Sequence, residues 1–133
     1  MQRREFISVL GASAAAWPLA ARAQQRERMR RVGVLMAFPT DAVGRAQAEV
    51  AALRKGLADL GWIEGRNIEM DYRWPGGDAA LARAIARDVL ARKPDLVLTR
   101  STPTTAAVLA ESRSIPIIFL NVGDPIHRGL WRV

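Results

Sequence analysis

The sequence predicts an α/β domain on a parallel sheet of about four strands, in the order 2-1-3-4, with helices on both faces. Three observations carry this prediction. Short apolar runs alternate with stretches whose apolar residues recur three and four apart, the two periods of buried strands and amphipathic helices. The resulting pattern is β-α-β-α-β-α-β, and strands joined by helical crossovers pair in parallel with right-handed connections. Turn formers such as Pro75-Gly76-Gly77 and Lys93-Pro94-Asp95 fall where the period changes. The strand order is that of the flavodoxin-like sheets.

The first strand is read in Arg31–Met36, "RVGVLM", an apolar run too short for a helix. From about Gly44 to Leu60, Val50, Leu53, Leu57 and Leu60 mark one face of a helix, and Gly61 stands where its C-cap belongs. Asn67–Trp74 alternates, with Ile68, Met70, Tyr72 and Trp74 on one face and Glu69 and Asp71 on a solvent-facing one, as suits an edge strand. Asp78 is placed to cap a helix running to about Arg92, with Leu81, Ile85, Val89 and Leu90 as its apolar side. Asp95–Thr99 is a third, buried strand. A short helix follows, with Pro103 at or near its first position. Ile115–Val122 is the fourth strand, with Pro116 at its start.

The chain has 133 residues, enough for one domain, half of them hydrophobic and a quarter charged, an ordinary globular balance. It has no cysteine, which excludes disulfides, thiolate catalysis, cysteine metal sites and lipid attachment at cysteine. The formal charge is +7. Three arginines (Arg3, Arg4, Arg22) against one acid lie within Met1–Ala23, and four more (Arg26, Arg28, Arg30, Arg31) cluster in "RERMRR" at the entry to the first strand. The remaining basic residues are interleaved with acids. They form no basic face with interspersed aromatics, so no nucleic-acid partner is expected.

The first 23 residues read as a cleavable export signal. A basic start is followed by the apolar stretch Phe6–Ala20, too short and too alanine-rich for a membrane span, and Ala21-Arg22-Ala23 supplies the small residues at a cleavage site. "RREFI", with Arg3 and Arg4, resembles a twin-arginine signal read by an export receptor, and Arg22 near the cut suits that route. A periplasmic destination follows. Residues 24–30 are then a basic linker.

In such sheets ligands sit beyond the carboxyl ends of the strands, where the chain reverses direction across the sheet. That rule selects the loops Ala37–Gly44, Arg100–Thr104 and Asn121–Asp124. Phe38, Pro39 and Thr40 offer a ring beside polar groups, for ligand stacking or to cover the core edge. Ser101, Thr102, Pro103 and Thr104 surround a helix start whose amides and hydroxyls suit a small polar or anionic ligand. Ser101 or Thr102 could equally serve as a plain N-cap. Arg100 is available to a ligand or to solvent. Asn121 and Asp124 close the third loop, where Asp124 could accept an ammonium group or Gly123 and Pro125 could simply enforce a turn. No glycine-rich phosphate cradle, catalytic triad or metal-ligand spacing is present, and the single histidine, His127, stands alone. No cofactor and no enzymatic activity are expected.

Taken together, "RREFI…WPLAARAQ", "RVGVLM", "LRKGLADLGWIEGRNIEMDYRW", "GDAALARAIARDVLARKPDLVLTRSTP" and "IPIIFLNVGDP" resemble the ABC-transporter substrate-binding proteins. The match is to a family abundant in soil proteobacteria that includes amino-acid (tryptophan-type) binders. The resemblance implies a type I periplasmic-binding-protein fold, in which two α/β lobes close on a small amino-acid-like or organic solute and dock on an inner-membrane ABC permease. It places ligand contacts in the same three loops: Phe38–Thr40, Ser101–Thr104 and Asn121–Asp124. Arg100 departs from the small residue usual there. Family members are at least twice as long, so residues 31–126 are expected to be an incomplete N-terminal lobe with impaired binding. Residues 127–133, "HRGLWRV", depart from the family pattern. One inserted nucleotide ahead of codons for Thr-Ala-Gly-Phe-Gly can be read as His127–Trp131, so a non-functional remnant of a frameshifted gene is the alternative. A Rossmann-like enzyme domain is the second.

Overall fold

A computed structural model of the chain describes residues 28–38, 42–125 and 129. The signal residues Arg3, Arg4, Ala21 and Ala23 lie outside them, as do Pro39 and Thr40, most of the 24–30 linker, and the 127–133 tail apart from Gly129. Strands and helices alternate as β1 (Arg30–Met36), α1 (Val43–Asp59), β2 (Ile68–Arg73), α2 (Ala79–Ala91), β3 (Leu96–Arg100), α3 (Thr102–Glu111) and β4 (Ile117–Leu120). All pairings are parallel and the order is β2-β1-β3-β4, as the alternating pattern predicts. Register runs from Arg30 opposite Ile68 on one side of β1 and from Val32 opposite Leu96 on the other.

Successive side chains of β1 point to opposite faces. Val32, Val34 and Met36 join Ile68, Met70 and Leu98 under Val50, Leu53 and Leu57 of α1. Leu35 and Val97 point the other way, into Ala82, Ala86 and Val89 of α2 and Ala107 and Val108 of α3. Gly33 lets α2 come close, because a Cβ there would overlap Val89 Cγ1. The small residues Ala82 and Ala86 complete that contact.

Three expectations are corrected. Leu81 is half exposed rather than part of the apolar face, because alanines form the close-packed line of α2 and put Leu81 on its flank. Leu60 is 78% exposed because α1 ends at Asp59, and Gly61, at φ 88°, turns the chain away. Asp71 does not simply face solvent. Its half-buried carboxylate pairs with Arg73 (2.7 Å) and Arg92 (3.5 Å), whereas Glu69 is exposed and meets Arg31 at 3.3 Å.

Capping follows the sequence at α2, where Asp78 Oδ1 accepts from the amides of Ala80 (2.8 Å) and Leu81 (3.0 Å). At the opposite edge of the sheet, Asp95 ties the start of β3 to β1. Its carboxylate accepts from the Arg31 amide at 2.9 Å, and its own amide donates to the Arg31 carbonyl at 2.8 Å. The face of β4 on the α1 side carries Ile118 and Leu120, both nearly half exposed.

Candidate functional site

The parallel topology puts the start of every helix at the carboxyl edge of the sheet. Of the three helix starts there, only α2 has a side-chain cap; neither Ala42 before α1 nor Ser101 before α3 supplies one. The simple capping role for Ser101 is thereby overturned. Its backbone, at φ 97° and ψ 156°, lies in a region that L-residues avoid, and its hydroxyl turns to Thr104 Oγ1 at 3.2 Å.

The hydroxyls of this junction divide into two sets. Thr104 and Thr105 are fully buried. Thr104 Oγ1 donates to the Arg100 carbonyl at 2.7 Å and Thr105 Oγ1 to the Ser101 carbonyl at 2.8 Å. Thr99 Oγ1 lies 2.7 Å from Thr105 Oγ1. These groups hold the β3–α3 turn together, so the Thr104 side chain faces the turn rather than the open edge. Ser101 and Thr102 are half-buried, and Pro103 is exposed.

Backbone and side-chain bonds join the selected loops. The Ala37 amide donates to the Arg100 carbonyl at 3.4 Å, and the Ser101 amide to the Leu120 carbonyl at 3.0 Å. The Gly123 amide donates to Thr102 Oγ1 at 3.3 Å. Phe38, Ser101, Thr102, Asn121 and Asp124 therefore belong to one continuous edge. Asn121 (φ 51°) and Asp124 (φ 45°) share with Ser101 a positive φ, so three of the four non-glycine residues of this kind among the described residues lie here.

Arg100 is not solvated, contrary to the plainer expectation for an arginine at a strand end. Its Nε donates to Glu49 Oε2 at 2.8 Å and its Nη1 to the Ala37 carbonyl at 3.2 Å. Its guanidinium lies 3.9 Å from the centroid of the Phe38 ring. Phe38 also neighbours Trp74, with ring centroids 6.1 Å apart and planes tilted by 41°. Glu49 is not among the residues named from the sequence, and Trp74 is named there only as part of the apolar face of the second strand. A charged residue beside the Val50–Leu53–Leu57 stripe was the available signal for Glu49.

A cavity of about 590 Å³ adjoins this edge between α1 and the end of β2, lined by Phe38, Val43, Gln47, Val50, Arg54 and Trp74 among others. Its size falls within the range of small-molecule sites. Arg54, in its lining, is held by the Tyr72 hydroxyl at 3.1 Å and by Glu64 at 2.8 Å, and these partners, Tyr72 foremost, raise the pKa of its guanidinium above the ordinary value. A second cavity of about 480 Å³ lies towards the other edge, among Val32, Leu57, Trp62, Leu96 and Ile118. Among the described residues, no group of three His, Cys, Asp or Glu side chains could hold a metal ion, and no helix is long and apolar enough to cross a membrane.

Residues 31–132 match the family described as ABC transporter substrate binding protein. A tyrosine-binding protein of Clostridioides difficile is 36% identical over 76 residues, covering 57% of this chain and 22% of that protein. A conserved domain protein from Vibrio cholerae superimposes with a TM-score of 0.67 at 34% identity, over 76% of this chain and 33% of its own. The ligand-free, open structure of a substrate binding protein with adhesive properties from Clostridium difficile gives 0.69 at 27% identity, over 78% and 34%. The chain thus spans between about a fifth and a third of the length of these relatives.

Proposed function

Because the chain belongs to the ABC transporter substrate-binding protein family, a family of binding proteins rather than enzymes, we propose that it forms one wall of a solute site. Its ligand would be a small amino-acid-like or organic solute, captured in the periplasm for an ABC permease of the inner membrane. The observation that carries this reading is the continuous carboxyl edge, where the three loops are joined by the Ala37–Arg100, Ser101–Leu120 and Gly123–Thr102 bonds beside two helix starts without side-chain caps. Amides at such helix starts favour a carboxylate. Pro39 and Thr40 belong to the same wall in this proposal. Export through a twin-arginine receptor, with Arg3 and Arg4 as its mark and cleavage after Ala23, would bring the lobe to its solute.

The tyrosine-binding relative makes aromatic amino acids the first solutes to test. One wall makes only part of the contacts of a closed two-lobe clamp, so weak binding is expected. A dissociation constant of about 1 mM would stabilise the fold by about 1.4 kcal/mol at about 10 mM ligand. For a domain of this size that raises Tm by roughly 6–11 °C. A thermal-shift screen of amino acids and small carboxylates on the full chain should find such a rise for tryptophan or phenylalanine. No shift with any of them would refute the reading.

A further inference from the structure

Glu49, Arg100, Phe38 and Trp74 form one chain of contacts along the carboxyl edge, drawing residues from α1, β3, the end of β1 and the end of β2. Arg100 is its centre. Its side chain is only 14% exposed. It binds the Glu49 carboxylate, the Ala37 carbonyl and one face of the Phe38 ring. It is also the one cation that the described residues of the three loops contribute. Two consequences follow from this geometry. The Glu49 carboxylate compensates the guanidinium charge, so this corner does not select ligands by attraction to a bare cation. The guanidinium covers one face of the Phe38 ring, and the ring also lines the cavity beside α1, so its remaining surface is held there in one orientation.

We propose that Arg100 is the positioning residue of this site. It holds Phe38 at a fixed angle against the end of β3, and thereby gives the edge its preference for a flat aromatic solute over an aliphatic one of similar size. The proposal rests on the solute-wall reading above. Lysine keeps the charge of Arg100 but has neither the planar face that stacks on Phe38 nor the fork that reaches Glu49 and Ala37 together. Glutamine at position 49 keeps an acceptor for Arg100 Nε but removes the compensating charge.

The test is NMR on the full chain and on Arg100→Lys and Glu49→Gln, first without ligand and then with benzyl alcohol, n-butanol and benzoate. Without ligand, the δ-methylene protons of Arg100 should be shifted upfield by the Phe38 ring. With probes, benzyl alcohol should move the Phe38 and Thr102 amides more than n-butanol does. Arg100→Lys should reduce that preference about three-fold, the loss of one cation–π contact, with Tm within a few degrees of the parent. Glu49→Gln should raise the response to benzoate relative to benzyl alcohol. An unshifted δ-methylene signal, or a preference unchanged in Arg100→Lys, overturns the role of Arg100. If the upfield shift is present but no probe moves the loop amides of the parent, the solute wall itself fails and the positioning role falls with it.

Discussion

Thr105→Val should be among the costlier isosteric changes in the chain, and the geometry says why. Thr105 Oγ1 has one proton, and the Ser101 carbonyl, 2.8 Å away, can only accept. That proton is committed there, so in the 2.7 Å contact with Thr99 the donor must be Thr99. Both side chains are fully buried. Valine at 105 leaves the Thr99 hydroxyl proton without an acceptor, a loss of about 1–3 kcal/mol. The Ser101 carbonyl is not orphaned, since it still accepts from the Thr105 amide at 3.2 Å. Thr99→Val removes only the donor and leaves Thr105 bonded to Ser101, a loss of about 0.5–1.5 kcal/mol. With both replaced, no hydroxyl is stranded and volume is conserved, so the double variant should be more stable than Thr105→Val alone. Urea unfolding of the four proteins, read as a double-mutant cycle, gives the coupling. Additive losses, or a Thr99→Val variant less stable than Thr105→Val, would refute this hydrogen-bond assignment.

Three further outcomes are expected. Ser101→Gly relieves a backbone at φ 97° at the expense of one 3.2 Å hydroxyl contact, so it should exceed Ser101→Ala in stability by about 1–3 kcal/mol in chemical denaturation; an alanine variant at least as stable contradicts the strain. Gly33→Ala should destabilise by about 1–3 kcal/mol, because its Cβ meets the fully buried Val89, and Val89→Ala in the same chain should recover part of that loss. The Arg31 amide, with help from Arg28 and Arg30, holds the Asp95 carboxyl below the usual carboxylate range. Its stabilisation is therefore full above the unfolded value of about 3.9 and is lost as pH falls through the lower folded one. Asp95→Asn should flatten the acid limb of the stability curve below about pH 4, and an unchanged limb would exclude that role.

The strands and helices were legible because their signals are local. "RVGVLM" and "DLVLT" are apolar runs bounded by turn formers, and α1 repeats its apolar residues at helical spacing. The loops of the candidate edge were legible too, since a parallel sheet sends ligands to its carboxyl ends whatever the side chains are. What the residues do within those loops was not. Arg100 and Glu49 stand 51 positions apart, and their meeting depends on β3 lying beside β1 and on the rotation of α1 over both. Ser101 is an ordinary N-cap residue in sequence, but its strained backbone turns the hydroxyl to Thr104 instead of the helix amides. Leu81 carried a correct period, yet the close approach at Gly33 gave the buried line to alanines.

In the proposed reading the joined ends of β1, β3 and β4 form a solute-binding wall. Its most direct test is an NMR titration of the isotope-labelled full chain with tryptophan, tyrosine and phenylalanine. Amide shifts are expected at Phe38, Ser101, Thr102, Thr104 and Asn121–Asp124, with the Val32–Leu57–Ile118 cavity near the other edge unmoved. Shifts confined to that second cavity, or none at the three loops with any of these amino acids, would contradict it.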